Sequence, residues 1–124
     1  MFVTEISAGL VRHRARGPVT VPAISTAYLD WARHADFDPF LPVVWDLRGE
    51  RLEIALDELV TIPRATNQVT GRLRSGLRTA VLVDNAVAEF AAGLVARNPA
   101  WAADVRVFRE ERDALSWLQR DGLR

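Results

Sequence analysis

The stretch that decides the fold is Leu41-Pro42-Val43-Val44-Trp45-Asp46-Leu47, in a chain of 124 residues. Its residues are apolar on both alternating faces, which is typical of a strand covered on both sides. Arg48-Gly49 then ends the run with turn residues. We therefore predict that this strand lies at the centre of a sheet with other elements packed against both of its faces.

Strands and helices are predicted to alternate after this segment. Residues 78–83 and 105–108 are short runs compatible with buried strands. Residues 56–73 have apolar residues at helical spacing, with Pro63 delaying the helix and Gly71 weakening its end.

Two further helices complete the predicted alternation. One begins at Asp84 or Asn85 and stops at Asn98-Pro99, and the other begins at Glu110. Their predicted inward stripes are Val87, Phe90, Ala91, Leu94 and Val95 in the first, and Ala114, Trp117 and Leu118 in the second.

The chain before residue 41 predicts a β-hairpin and a helix. Residues 2–7 and 10–15 read as two strands joined by a tight turn at Ala8-Gly9. Thr20 can cap a helix that runs to about Ala35. Its predicted core stripe is Val21, Ile24, Tyr28, Trp31 and Ala35.

These elements define the predicted fold class. We expect a single α/β domain spanning residues 1–124, with an N-terminal β-hairpin followed by alternating strands and helices. The sheet has about five strands and is mainly parallel, because β-α-β connections join parallel neighbours. The hairpin adds an antiparallel edge strand.

Composition narrows the functional classes. The chain has no cysteine, which excludes disulfides and thiolate chemistry and favours a reducing compartment. Sixteen basic residues balance sixteen acidic ones, so we expect no general nucleic-acid binding. The apolar runs are too short to span a membrane, and no secretion signal is visible. We predict a soluble, cytoplasmic protein with no cofactor.

Four segments make the sequence resemble the STAS-like, SpoIIAA-like domains, which share features with lipid-binding CRAL-TRIO domains. The resemblance covers nearly the whole chain, and its C-terminal part is the most specific. The segments are Arg16-Gly17-Pro18-Val19-Thr20, Asp36-Phe37-Asp38 with residues 41–48, residues 78–83, and Val105-Arg106-Val107-Phe108-Arg109 with Ala114-Leu115-Ser116-Trp117-Leu118.

The resemblance implies a SpoIIAA-like fold, but it does not carry over a phosphorylation switch. In the similar anti-sigma-factor antagonists, an Asp-Leu-Ser-Gly-like segment precedes a phosphorylatable serine at a helix start. Here the corresponding segment is Asp46-Leu47-Arg48-Gly49, and residues 52–57 after it contain no hydroxyl group. A phosphate beside Glu53 and Asp57 would also be repelled.

Few residues stand out as candidates for chemistry. Asp46 lies near the end of a central strand, where α/β sheets often hold functional groups, but it can equally cap a turn through Arg48. His13 and His34 lie on different predicted elements, with no spacing that indicates paired metal ligands. No catalytic set is visible.

Arginines supply the remaining candidates. Arg12, Arg14 and Arg16 alternate along one hairpin strand, with Arg106 on the same predicted face, and together with Trp101 they are our predicted partner surface. A second basic segment, a possible anion contact, comprises Arg72, Arg74 and Arg78.

The sequence therefore leaves three hypotheses. The first is a non-enzymatic interaction or regulatory module, forming a homodimer and contacting a protein partner. The second is a small carrier of an apolar, acyl or lipid-like ligand, which the similarity to CRAL-TRIO domains allows. The third, an enzyme, rests on Asp46 with His13 or His34 and has no identifiable nucleophile.

Overall fold

A five-stranded sheet organises the part of the chain that the computed structural model describes, residues 1–38, 40–59, 61, 78–98 and 104–119. The strands lie side by side in the order of the sequence. The elements are β1 (Phe2–Ser7), β2 (Leu10–Ala15), α1 (Val21–Ala32), β3 (Val43–Asp46), α2 (Leu56–Leu59), β4 (Arg78–Leu82), α3 (Ala86–Ala96), β5 (Asp104–Phe108) and α4 (Glu111–Leu118).

The hairpin forms with the predicted boundaries. β1 and β2 pair antiparallel, with Ser7 opposite Leu10 on either side of the turn. Ala8 and Gly9 have φ values of 52° and 73°, as a two-residue hairpin turn of the right twist requires. β1 is thus the predicted antiparallel edge strand.

The remaining strands are parallel. β2 pairs with β3, β3 with β4, and β4 with β5. Each of the three connections between parallel strands leads to the neighbouring strand, always toward the β5 edge of the sheet. Because such crossovers are right-handed, the helices within them lie on one face of the sheet. The predicted α/β architecture, with a mainly parallel sheet, is confirmed.

All four residues of β3 are buried, as predicted for a central strand. Val43 and Trp45 belong to a core cluster with Tyr28 and Trp31 of α1. Val44 belongs to a different cluster, which contains Trp117 of α4. The sheet is therefore covered by α1 and α3 on one face and by α4 on the other.

The first helix is shorter than predicted. Thr20 caps it, its Oγ1 accepting a hydrogen bond from the backbone N–H of Ala23 at 3.2 Å. The helix ends at Ala32, however, and Ala35 is exposed beyond it. The buried stripe of the helix therefore ends at Trp31, because Ala35 lies beyond the last helical residue. Of the helix predicted within residues 56–73, α2 covers Leu56–Leu59, and residues 62–73 lie outside the described residues.

The predicted inward stripe of α3 is confirmed at Ala91, which is buried, and at Val95, which packs against the cluster of Leu59 and Ala91. It was wrong at its other three members, Val87, Phe90 and Leu94. The helix packs on the sheet through Ala88, Ala91 and Ala92, which are buried. Val87 and Phe90 are 74% and 63% exposed, and Leu94 is also exposed. Small side chains let the helix backbone approach the sheet, and the larger apolar residues are thereby turned to solvent.

Candidate functional site

The alternation of side chains along β3 places a carboxylate on the face that α4 covers. Trp45 points toward α1, and the residues on either side of it point the other way. Asp46, at the carboxyl end of the strand, is 4% exposed. A buried carboxylate needs charged or hydrogen-bonding partners, and arginines supply them here.

Arg48 is the main partner of Asp46. Its Nε and Nη2 donate to the two carboxylate oxygens at 2.9 and 2.8 Å, a bidentate arrangement. Its backbone N–H also donates to Asp46 Oδ1 at 3.1 Å. Asp46 therefore caps the turn that follows β3, which is the structural role that the sequence left open.

Two arginines of β2 approach the same carboxylate. Arg12 Nη1 lies 3.8 Å and Arg14 Nε 3.9 Å from Asp46 Oδ2. The register explains this, since Arg14 is directly paired with Asp46 across the parallel ladder. Arg12 is largely buried, whereas 47% of the Arg14 side chain is exposed at the rim.

Glu111, the first residue of α4, completes what we call the Asp46 cluster: Arg12, Arg14, Asp46, Arg48 and Glu111. Its Oε1 accepts hydrogen bonds from Arg48 Nη2 at 2.9 Å and from Arg12 Nη1 at 3.3 Å. Three arginines face two carboxylates, so the cluster has a net positive charge. Glu111 thereby ties α4 to β2 and to the turn after β3.

The contacts between Asp46 and Arg48 shift the pKa values of both groups toward their charged forms. Burial is the largest influence on the Asp46 carboxyl and pushes its pKa upward, but the hydrogen bonds and charge of Arg48, with the charge of Arg14, outweigh it and lower the pKa. The hydrogen bonds with Asp46 raise the pKa of Arg48. Asp46 is thus a permanent anion near neutral pH, suited to holding cations rather than to moving protons.

The histidines do not join Asp46. His13 lies on the other face of the sheet, fully buried, with its Nδ1 2.8 Å from the Thr4 hydroxyl and its ring stacked on Trp45 at 4.1 Å. His34 is exposed, and its Nδ1 accepts a hydrogen bond from the backbone N–H of Asp36. The enzyme hypothesis, which needed these groups together, has no assembled site among the described residues.

Arg106 and Arg78 pack against α4. Their guanidinium groups are 5.0 and 5.3 Å from the Trp117 ring, at cation–π distance. The Arg106 side chain is nevertheless 55% exposed, and its Nε lies 3.8 Å from Asp104 Oδ1. Arg78 also donates to the Trp117 carbonyl at 2.6 Å. α4 therefore lies between Arg106 and the Asp46 cluster.

The other predicted surface residues lie elsewhere or outside the described part of the chain. Arg16 is exposed beyond the end of β2. Arg72, Arg74 and Trp101 lie outside the described residues.

Sequence reasoning missed Glu111. It lies 63 residues beyond Arg48, and its position in the first turn of a helix already had an ordinary explanation in the helix dipole. Within the described ranges, no three histidine or acidic side chains gather as metal ligands. No helix there has the length and apolar character needed to cross a membrane.

The fold is similar to that of a solved structure, an uncharacterised protein from the DUF3478 family of Shewanella loihica PV-4 that is described as having a SpoIIAA-like fold. The two sequences are 20% identical, the match covers 95% of this chain and 92% of that chain, and the TM-score is 0.57. No family model matches the sequence, and the search of curated proteins found no match. The fold is therefore SpoIIAA-like, as the resemblance implied, whereas the relation to CRAL-TRIO domains stays a prediction.

Replacing Asp46 by asparagine should destabilise the fold strongly. Asp46→Asn leaves three arginines facing each other with Glu111 as their remaining acidic partner, and we expect a loss of about 2–4 kcal/mol in the free energy of unfolding. Urea denaturation followed by circular dichroism measures this loss. Glu111→Gln is the matched control, because its carboxylate is 40% exposed and its removal should cost about 1 kcal/mol or less. Equal losses in the two variants would contradict the central position of Asp46.

His13 should make the protein sensitive to mild acid. Burial lowers the pKa of His13 to about 3, whereas histidine in the unfolded chain has a pKa of about 6.5. Between these values the unfolded state binds a proton that the folded state does not. Stability is therefore complete above about pH 6.5 and is lost as the pH falls, by at most about 1.4 kcal/mol per pH unit.

The variant His13→Phe, combined with Thr4→Val to remove the orphaned hydroxyl, isolates this effect. Its aromatic ring retains the stacking partner Trp45, and it has no proton to bind. We expect urea denaturation at about pH 7, 6 and 5 to show a smaller decline in the variant than in the wild type. Parallel declines in the two proteins would show that His13 is not the group responsible.

Proposed function

We propose that this protein is a non-enzymatic interaction module whose contact surface is the outer face of α3. One observation carries the proposal: Val87, Phe90 and Leu94 are 74%, 63% and 36% exposed on a single helix. We call these three residues the α3 surface. The module acts in the cytoplasm through contacts with protein, in keeping with the neutral charge and the lack of cysteine in the sequence.

The α3 surface is contiguous rather than scattered. Its residues follow the i, i+3, i+7 spacing, which aligns them along one side of a helix. Single exposed apolar residues are ordinary, but a stripe of them is typical of a binding surface. Covering a side chain the size of phenylalanine contributes roughly 1.5–3 kcal/mol, so a partner gains most of its affinity at Phe90.

The α3 surface is not needed to hold its own helix in place. Ala88, Ala91 and Ala92 already anchor α3 to the sheet and to α2. Asn85 caps its first turn by accepting a hydrogen bond from the Ala88 N–H at 2.8 Å. The outer residues are therefore available for another molecule without a cost to the fold.

The variant Phe90→Ser tests the proposal. Tagged wild type and Phe90→Ser are compared in pull-downs from cells of the source organism, with co-purifying proteins, including the untagged chain, quantified by mass spectrometry. We expect at least one protein to be recovered about tenfold less with Phe90→Ser. Leu29→Ser is the matched control, because Leu29 is an exposed leucine (42%) on α1. An identical set of proteins with wild type and Phe90→Ser would overturn the proposal.

An apolar cavity supports the carrier function as a second candidate. It measures about 80 Å³, and its lining is almost wholly apolar, including Tyr28, Trp45, Leu59 and Ala91. An apolar cavity of about 150 Å³ holds benzene, so this smaller space suits a small apolar group rather than a long acyl chain.

Native mass spectrometry distinguishes the carrier from the interaction module. A carrier purified gently should retain a ligand mass in the wild type, and Ala91→Leu, which fills the cavity, should lose it. The control Ala35→Leu adds the same volume at an exposed position beyond the end of α1 and should leave the ligand mass unchanged. Spectra without any ligand mass in the wild type would contradict the carrier function.

A further inference from the structure

The two ends of the α3 surface carry opposite charges. Beside Val87 lies a groove of about 470 Å³ whose lining includes Glu50, Arg51 and Asp84. Arg51 is already paired, its Nη2 donating to Glu53 Oε2 at 2.6 Å. The amino-terminal end of the α3 surface is therefore acidic.

Arg97 stands at the other end. It is the C-cap residue of α3, and its side chain is exposed. Among the described residues no ion pair is formed by Arg97, and the same is true of Arg16, Arg33 and Arg112, none of which lies on α3. The helix thus presents an apolar stripe with acidic groups at its start and an uncommitted cation at its end.

We propose that the occupant of the α3 surface is a second copy of this chain, with the two α3 helices packed antiparallel. Arg97 of each copy then enters the acidic groove beside Val87 of the other. This inference rests on the proposed function and names its partner. The two copies are related by a twofold axis, so the contact between Arg97 and the acidic groove occurs twice in the dimer, once in each direction.

The register set by the charges also satisfies the apolar residues. Val87 and Arg97 are ten residues apart, or about 15 Å along the helix. Placing each Val87 opposite the Arg97 of the other copy puts the twofold axis near Ala92. The same register sets Phe90 of each copy opposite Leu94 of the other. Charge pairing and apolar contact therefore select one arrangement.

Antiparallel packing also suits the helices themselves, because each positive helix start lies beside a negative helix end. A parallel arrangement instead places Arg97 beside Arg97. One helix face is a small interface, so we expect a dissociation constant of roughly micromolar magnitude. The dimer forms as the protein concentration rises.

Sedimentation velocity over a range of concentrations tests the self-association. We expect the wild type to change from monomer to dimer and Phe90→Asp to stay monomeric, with a dissociation constant raised at least tenfold. Leu29→Asp, on α1, should dimerise like the wild type. A wild type that stays monomeric throughout, or a Phe90→Asp variant that dimerises normally, overturns the inference.

A charge exchange tests the antiparallel register. In a dimer of Arg97→Glu, the new glutamate lies beside Glu50 of the other copy. In a dimer of Glu50→Arg, the new arginine lies beside Arg97 of the other copy. Because like charges then meet, each variant alone should dimerise at least tenfold more weakly. Mixing the two variants creates one reversed ion pair and retains one original pair, and dimers should reappear. No recovery in the mixture overturns the register.

If pull-downs show a different protein that depends on Phe90 while sedimentation shows no dimer, the second copy is wrong and the interaction module stands. If neither experiment depends on Phe90, both are wrong.

Discussion

The burial of β3 on both faces is the constraint on which the rest of the structure depends. A strand with Trp45 on one side and Val44 on the other can be buried only if α1 and α4 cover opposite faces of the sheet. Asp46 extends the same alternation by one residue. Its position at the strand end, under the start of α4, is what draws Arg48, Arg12 and Glu111 into one cluster. The Asp46 cluster is thus a consequence of how the sheet is covered.

The two polar features of the core have opposite characters. Asp46 is kept charged because arginines surround it, whereas His13 is kept neutral because burial removes its ring from water. The outside of α3 presents Phe90 and its apolar neighbours to solvent, and our proposed function places the contact with another molecule there.

α3 has this outward character because alanines occupy its inner face. Ala88 and Ala92 belong to the core cluster beside the sheet, and their small side chains bring the helix close to it. The apolar residues that a helix would ordinarily bury are therefore placed where a second molecule can cover them. The stripe has Glu50 and Asp84 near its first end and Arg97 at its last. Our proposal of a second copy rests on the pairing of these opposite charges.

The sequence by itself determined the elements of the fold. The hairpin boundaries follow from the strands on either side of Ala8-Gly9, the central strand from its continuous apolar run, and the α1 start from Thr20, because each of these is a local property of a few consecutive residues. Tertiary structure alone decided the partners. Glu111 meets Arg48 across 63 residues of chain, and nothing local in either segment indicates it. Tertiary structure also decided which face of α3 points toward solvent. That helix is apolar almost all round, so its periodicity permits several inward faces, and the close approach of alanines to the sheet selects one of them.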